Sequence, residues 1–173
     1  MAPTPFALCL GGNLGPVVER FEAATAALER CLGPLVRASL YRSRPLPTAF
    51  GPSRPQPSYW NTAVAGETVL SPDALLAIAK RLELASGRRP APRWSSRPLD
   101  IDLALFGAQA LELPELRLPH PGLAERRFML APLAEIVPAW RVPPLGLTVA
   151  ELLDRVGQEE QVERVGIIGE SAP

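Results

Sequence analysis

The sequence predicts an α+β fold with a ferredoxin-like βαββαβ core, an antiparallel sheet with helices on one face, and a C-terminal extension. Three observations predict it. Four short runs have strand character. Two amphipathic runs with capping signals separate the first strand from the second and the third from the fourth. No internal repeat or composition break divides the 173 residues, so positions 1–173 read as one domain with a full core.

The elements follow in order. "PFALCL" (5–10) is a buried strand that ends at "GGNLG", a tight turn. Pro16 suits the first turn of a helix, "VVERFEAATAALERCL" has apolar residues at helical spacing, and Gly33 is a C-terminal cap. "LVRASLYRS" (35–43) alternates as a half-buried strand, followed by a Pro/Gly/Ser-rich loop over roughly 44–58, long enough to be functional. "YWNTAVAGETVL" (59–70) is the third strand. "SPDALLAIAKRLELASG" has Ser71 as N-cap, Pro72 at the first helical position, Asp73 in the first turn and Gly87 at its end. A second loop, "RRPAPRWSS", leads to the fourth strand, "RPLDIDLALFG" (97–107). Beyond it, residues 109–118 suggest a hairpin, "AERRFMLAPLAEI" and "TVAELLDRV" short helices, and "VERVGII" an edge strand.

Composition narrows the function classes. The chain is 47% apolar and has zero formal net charge, so no overall field draws it to nucleic acid or a membrane. No run approaches the ~18 apolar residues of a membrane span, and the N-terminus lacks a signal-peptide layout. Cys9 and Cys31 read as buried reduced thiols of a cytoplasmic protein. All but one of the 18 basic residues are Arg, and four Arg fall between positions 88 and 97. Such a cluster suits phosphate oxygens, although a solvated basic loop has the same composition.

The fourth strand holds Asp100 and Asp102, two of only four Asp in the chain. Residues i and i+2 share a strand face about 6.6 Å apart. Their carboxylates can converge on Mg²⁺ or pair with nearby Arg; the adjoining Arg cluster favours a metal–nucleotide site. "GGNLG" lacks both standard phosphate-loop spacings, so it is read as a structural turn. His120, the only histidine, sits in the stiff "LPHPG" turn and can donate to a phosphate. "YWN" pairs aromatic faces with an amide, a combination able to hold a flat heterocycle, while Trp60 reads as core.

Three ordered blocks carry a resemblance. "RWSSRPLDIDLALFG", "LPHPGLAERRFMLAPLAEIVP" and "QPSYWNTAV" are similar to the signatures of the 6-hydroxymethyl-7,8-dihydropterin pyrophosphokinase family, over a match from "LGGNLG" to about residue 145. The resemblance implies transfer of the β,γ-pyrophosphoryl group of ATP to the pterin hydroxymethyl oxygen, with release of AMP, in folate synthesis. It implies that Asp100 and Asp102 hold two Mg²⁺ ions and that Arg88 and Arg89 are arginines of a catalytic loop. By the same resemblance Glu83, Trp94, Arg97, His120 and Arg126 lie at ATP, and Ser43, Leu46, Tyr59, Asn61 and Phe128 at the pterin. The partners implied are these small molecules alone, for a cytoplasmic monomer. The loop before Arg97 is about one residue short of the family pattern, and the Leu46–Gln56 loop is longer and richer in Pro. Two other classes fit parts of the chain. A Mg²⁺-dependent nucleotidyl transferase or cyclase also uses an Asp pair on this fold. An RNA-binding module would instead need exposed aromatics on a basic sheet, which the zero charge and the Asp pair oppose.

Overall fold

The computed structural model describes residues 2–45, 56–90, 95–158 and 160–167. Its elements are β1 (Thr4–Gly12), α1 (Val17–Leu32), β2 (Val36–Arg37), β3 (Leu40–Ser43), β4 (Tyr59–Thr68), α2 (Pro72–Ala85), β5 (Asp100–Phe106), β6 (Leu111–Glu112), β7 (Arg117–Leu118), α3 (Arg127–Ile136), β8 (Arg141–Val142), β9 (Leu147–Thr148), α4 (Val149–Arg155) and β10 (Val162–Gly166). The main sheet runs β10-β3-β4-β1-β5, with β2 also on β4, and every pairing is antiparallel. Thus the predicted ferredoxin-like order holds. β6 and β7 form the predicted hairpin, and β10 the predicted edge strand.

The capping signals place the helices. Ser71 Oγ accepts from the Ala74 N–H and Pro72 opens α2, while Gly33, at φ +91°, ends α1 with its N–H on the Glu29 carbonyl. The predicted strand over 35–43 is broken instead. Val36 and Arg37 pair with Ala65 and Val64, whereas Tyr41 pairs with Asn61, a register shift of one residue across Ala38 and Ser39. Local alternation cannot reveal such a bulge, because it is set by the partner strand.

The two sheet faces differ in side-chain size. Phe6, Leu8 and Leu10 of β1 pack with Phe21 and Leu28 of α1 and with Leu75 and Ala79 of α2. Each of these large side chains contributes roughly 1.5–3 kcal/mol by burial. On the other face Ala7, Cys9, Ala63 and Ala65 meet Met129, Leu130 and Leu133 of α3, with Leu152 of α4 behind. Helices therefore cover both faces, not one: the extension buries the apolar stripe of α3 on the small-residue side. Cys9 is buried as expected, but Cys31 is exposed near the end of α1, pointing away from the sheet interface. Trp60 packs on the large-residue core.

Candidate active site

Small residues on β1 make room for the acidic pair. In the register of β5 on β1, Asp100 lies opposite Gly11 and Asp102 opposite Cys9, while Ile101 and Leu103 enter the α1–α2 core. Asn61 lies opposite Gly11 on the other side, so one row across the sheet reads Asp100, Gly11, Asn61, Tyr41. A glycine in the middle of that row leaves space between an acidic and an amide side chain. The space is a cavity of about 380 Å³. Asp100, Asp102, Arg97, His120, Arg126, Ser43, Tyr59, Asn61 and Phe128 all line it.

Asp100 is neutralised within the chain. Arg97 Nη1 binds its Oδ2, and Arg88 Nη1 binds its Oδ1. Arg88 also binds Glu83. The end of α2 delivers Arg88 to this position. Gly87, at φ +87°, donates to the Leu84 carbonyl and Arg88 to that of Glu83, the Schellman pattern that ends a helix and turns the chain back over its last turn. Burial alone would raise the Asp100 pKa, but Arg97 and Arg88 outweigh it and hold the carboxyl below its ordinary value.

Glu83 is 2% exposed and is not a wall of the cavity. Its Oε1 accepts from the Ile101 N–H at 2.8 Å, and both oxygens accept from Lys80 Nζ at 3.1 Å. β5 is the sheet edge, so the Ile101 N–H has no strand partner there. Glu83 supplies the missing acceptor and ties α2 to β5 beside the acidic pair. Burial keeps its pKa raised despite the Ile101 bond.

Asp102 has neither arginine. Burial, then the charge of Asp100, raise its pKa to about 6. His120 Nε2 stands 3.9 Å from Asp102 Oδ1. A bulge in β5 places that histidine: the register shifts between Leu105 and Leu103, and the carbonyl of the extra residue, Ala104, accepts the His120 N–H at 3.0 Å. His120 Nδ1 accepts the Gly122 N–H at 3.1 Å, so Nε2 carries the ring proton and faces the cavity. Burial, then Arg126, lower the His120 pKa to about 4, making the ring a neutral donor at pH 7.

The cavity also presents flat faces and an amide. Asn61 Nδ2 donates to Ser43 Oγ at 2.9 Å, which orients the amide and leaves Asn61 Oδ1 beside Gly11 as an acceptor. Tyr59 Oη donates to Gln56 Oε1 at 3.2 Å. The Arg126 guanidinium lies over the Phe128 ring at 5.9 Å from its centre, against a bare Gly122 whose Cβ would clash with it. Phe128 lies in the first turn of α3, and the N–H of Arg127, which opens the helix, donates to Glu160 Oε2 at 2.7 Å.

The structure thus gathers Asp100, Asp102, Arg97, His120, Arg126, Ser43, Tyr59, Asn61 and Phe128 around one cavity. Arg88 stands behind it on Asp100, and Arg89 is exposed outside its walls. Leu46 and Trp94 lie outside the described residues. Asn13, in the turn read as plain connection, proves to be a hub. Its Oδ1 accepts the Arg97 N–H at 2.8 Å, and its Nδ2 contacts Ser96 Oγ, the Pro57 carbonyl and Gln56 Oε1. An Asn after a strand and two glycines was the available signal, but its partners are far away in sequence.

Among the described residues no group of three or more His, Cys, Asp or Glu side chains is arranged to hold a metal ion. Asp100 and Asp102 share one face of β5 and line the cavity, and one or two carboxylates completed by water and phosphate are a common way to hold Mg²⁺.

Comparison with known proteins identifies the family. The family model for 7,8-dihydro-6-hydroxymethylpterin-pyrophosphokinase matches residues 7–138. A 2-amino-4-hydroxy-6-hydroxymethyldihydropteridine pyrophosphokinase of Synechocystis is 42% identical over 149 residues, covering 85% of this chain and 73% of the relative. The enzyme of that name from Pseudomonas aeruginosa is 42% identical over 148 residues, covering 84% and 88%. The one from Haemophilus influenzae is 33% identical, covering 90% and 95%. A crystal structure of a Plasmodium falciparum HPPK-DHPS protein matches the fold with a TM-score of 0.68 at 14% identity, covering 89% of this chain and 45% of that longer one.

Proposed function

The chain belongs to the 7,8-dihydro-6-hydroxymethylpterin-pyrophosphokinase family, and from that premise we propose how its own residues carry out the reaction. The enzyme transfers the pyrophosphoryl group of ATP to the hydroxymethyl group of 6-hydroxymethyl-7,8-dihydropterin in folate synthesis, and AMP leaves. The observation that carries the residue assignment is that one cavity is lined both by an acidic pair with arginines and by aromatic and amide side chains.

Asp100 and Asp102 would hold Mg²⁺, in our reading two ions, which when bound neutralise the triphosphate and align it with the attacking hydroxyl. Arg97 and Arg126 bind phosphate oxygens. His120 donates from Nε2 to the nucleotide, a role that suits a ring kept neutral. Tyr59 and Phe128 sandwich the pterin, while Asn61 Oδ1 accepts from its ring nitrogens, the direction that the Ser43 bond enforces. Ser43 and Leu46 meet the pterin edge through their backbones. Arg88 stabilises the charge that grows on the transferring group, and Arg89 and Trp94 follow it in the loop that the family resemblance assigns to catalysis. Transfer of this kind depends on positioning and charge stabilisation more than on a strong base.

Glu83 acts one step back, by holding Arg88 and the β5 edge, instead of touching ATP. Among the described residues no helix is long and apolar enough to cross a membrane. A cytoplasmic monomer acting on diffusible substrates completes the proposal.

Product analysis tests it. Incubation with ATP, Mg²⁺ and the reduced pterin should yield AMP and a pyrophosphorylated pterin in equal amounts. ADP, or free pyrophosphate with a nucleotidylated pterin, would defeat it, the latter in favour of a nucleotidyl transferase.

A further inference from the structure

Asn13 is 5% exposed and lies just past the end of β1, on no wall of the cavity. Even so, its amide reaches two segments distant in sequence. The Arg97 N–H can only donate, so the atom it meets at 2.8 Å is the amide oxygen. The amide nitrogen then faces acceptors alone or hydroxyls: the Pro57 carbonyl at 3.4 Å, Ser96 Oγ at 3.4 Å and Gln56 Oε1 at 3.5 Å. The main chain repeats the link, because the Asn13 and Leu14 N–H groups both donate to the Arg97 carbonyl. Gly12 permits this close approach: a Cβ there would sit 2.8 Å from the Pro98 carbonyl.

Each segment leads directly to a functional side chain. Arg97 binds Asp100. Gln56 accepts from Tyr59 Oη. We infer that Asn13 is a positioning residue whose single amide sets the nucleotide side of the site, through Arg97, in register with the pterin side, through Gln56 and Pro57. The naming of those sides rests on the proposed reaction; the mechanical link does not. In-line attack requires both substrates to be placed from one reference point, and a misplacement of about 1 Å can lower a rate on the order of a hundredfold. The end of β1, paired on both sides within the sheet, is such a reference.

The two arms of the amide can be separated. Asn13→Asp keeps an oxygen for the Arg97 N–H but replaces the donor to Pro57 by a repelling carboxylate oxygen. Asn13→Ala removes both arms. In steady-state kinetics Asn13→Asp should raise the pterin KM about tenfold with the ATP KM within about twofold, and Asn13→Ala should raise both and lower kcat at least about tenfold. Equal changes in both KM values for Asn13→Asp, or kinetics like the parent for Asn13→Ala, would overturn the inference. Hydrogen exchange on the ligand-free proteins gives a readout independent of the reaction. Asn13→Ala should speed exchange about tenfold at both 56–60 and 95–98 while residues 62–65 stay protected. Acceleration at only one segment, at neither, or across the whole sheet would refute the link. Parent protein that makes no AMP would sink the reaction instead, and the exchange result would still decide the role of Asn13.

Discussion

Asp100 and Asp102 lie two residues apart on one face of β5, yet Arg88 and Arg97 grip only Asp100. Asp102 is left with a neutral histidine at 3.9 Å and the repulsion of its neighbour. The pair is therefore unequal before any ligand arrives: one carboxylate is held ionised, and the other resists ionisation until about pH 6.

That inequality predicts opposite stability effects from the same substitution. Asp102→Asn should stabilise the ligand-free chain at pH 7.5 by roughly 1–2 kcal/mol, discounted because the side chain is 34% exposed. The sign follows from linkage. A raised carboxyl favours the folded state below its ordinary value and loses that contribution as pH rises through about 6, so the gain from Asn should vanish below about pH 4. Asp100→Asn should destabilise by about 2 kcal/mol, because it strands Arg97 and leaves Arg88 with Glu83 alone. Its carboxyl is lowered, so that loss is complete at neutral pH and fades only in acid below the ordinary carboxylate range. Urea melts across pH 4–8 check both signs.

Turnover should not share that asymmetry. Asp100→Ala and Asp102→Ala are each expected to lower kcat/KM by at least about a hundredfold, since both carboxylates are proposed to hold the cation at the phosphates. A near-parental rate in either variant would remove it from the metal site.

Arg88 presents a separable effect. It sits behind the cavity on Asp100 and Glu83 rather than on the wall. Arg88→Ala should lower kcat about a hundredfold while the Kd of a non-hydrolysable ATP analogue changes less than about threefold. The reverse pattern would make it a ground-state binding residue.

Glu83 should act through its neighbours. Glu83→Gln keeps an acceptor for the Ile101 N–H but loses the ion pairs to Lys80 and Arg88. It should lower kcat about tenfold with little change in ATP affinity, whereas Glu83→Ala also leaves a buried N–H unpaired and should cost about 1–3 kcal/mol of stability. A direct ATP ligand would instead show a rise in KM for both variants.

His120 offers a clean titration, being the only histidine. Its ring Hε1 resonance should stay flat from about pH 8 to pH 5.5 and move with a midpoint near 4. A midpoint near the ordinary value would mean that the ring is solvated and away from Arg126.

Much of this was legible along the chain. Period-two alternation puts Asp100 and Asp102 on one face, because successive strand side chains point to opposite sides. Ser71, Pro72 and Gly33 mark helix ends through bonds only a few residues long. Those are local physics, and the sequence by itself determined them, together with the motif blocks that carried the family.

Tertiary structure decided the rest, in each case because the partner lies far away in sequence. Ala104 becomes an extra residue only when β5 registers on β1, and that bulge sends His120 toward Asp102. The acceptor for Glu83 to serve, the Ile101 N–H, exists only because β5 is an edge strand. Small residues at Cys9 and Gly11 become a floor only beside β4, β5 and α3, where they leave the volume that a large residue would fill. Asn13 looked like a turn residue because its local role is a turn. Its amide finds Arg97 and Pro57 only after two long loops return to the same strand end, a juxtaposition that no local pattern encodes.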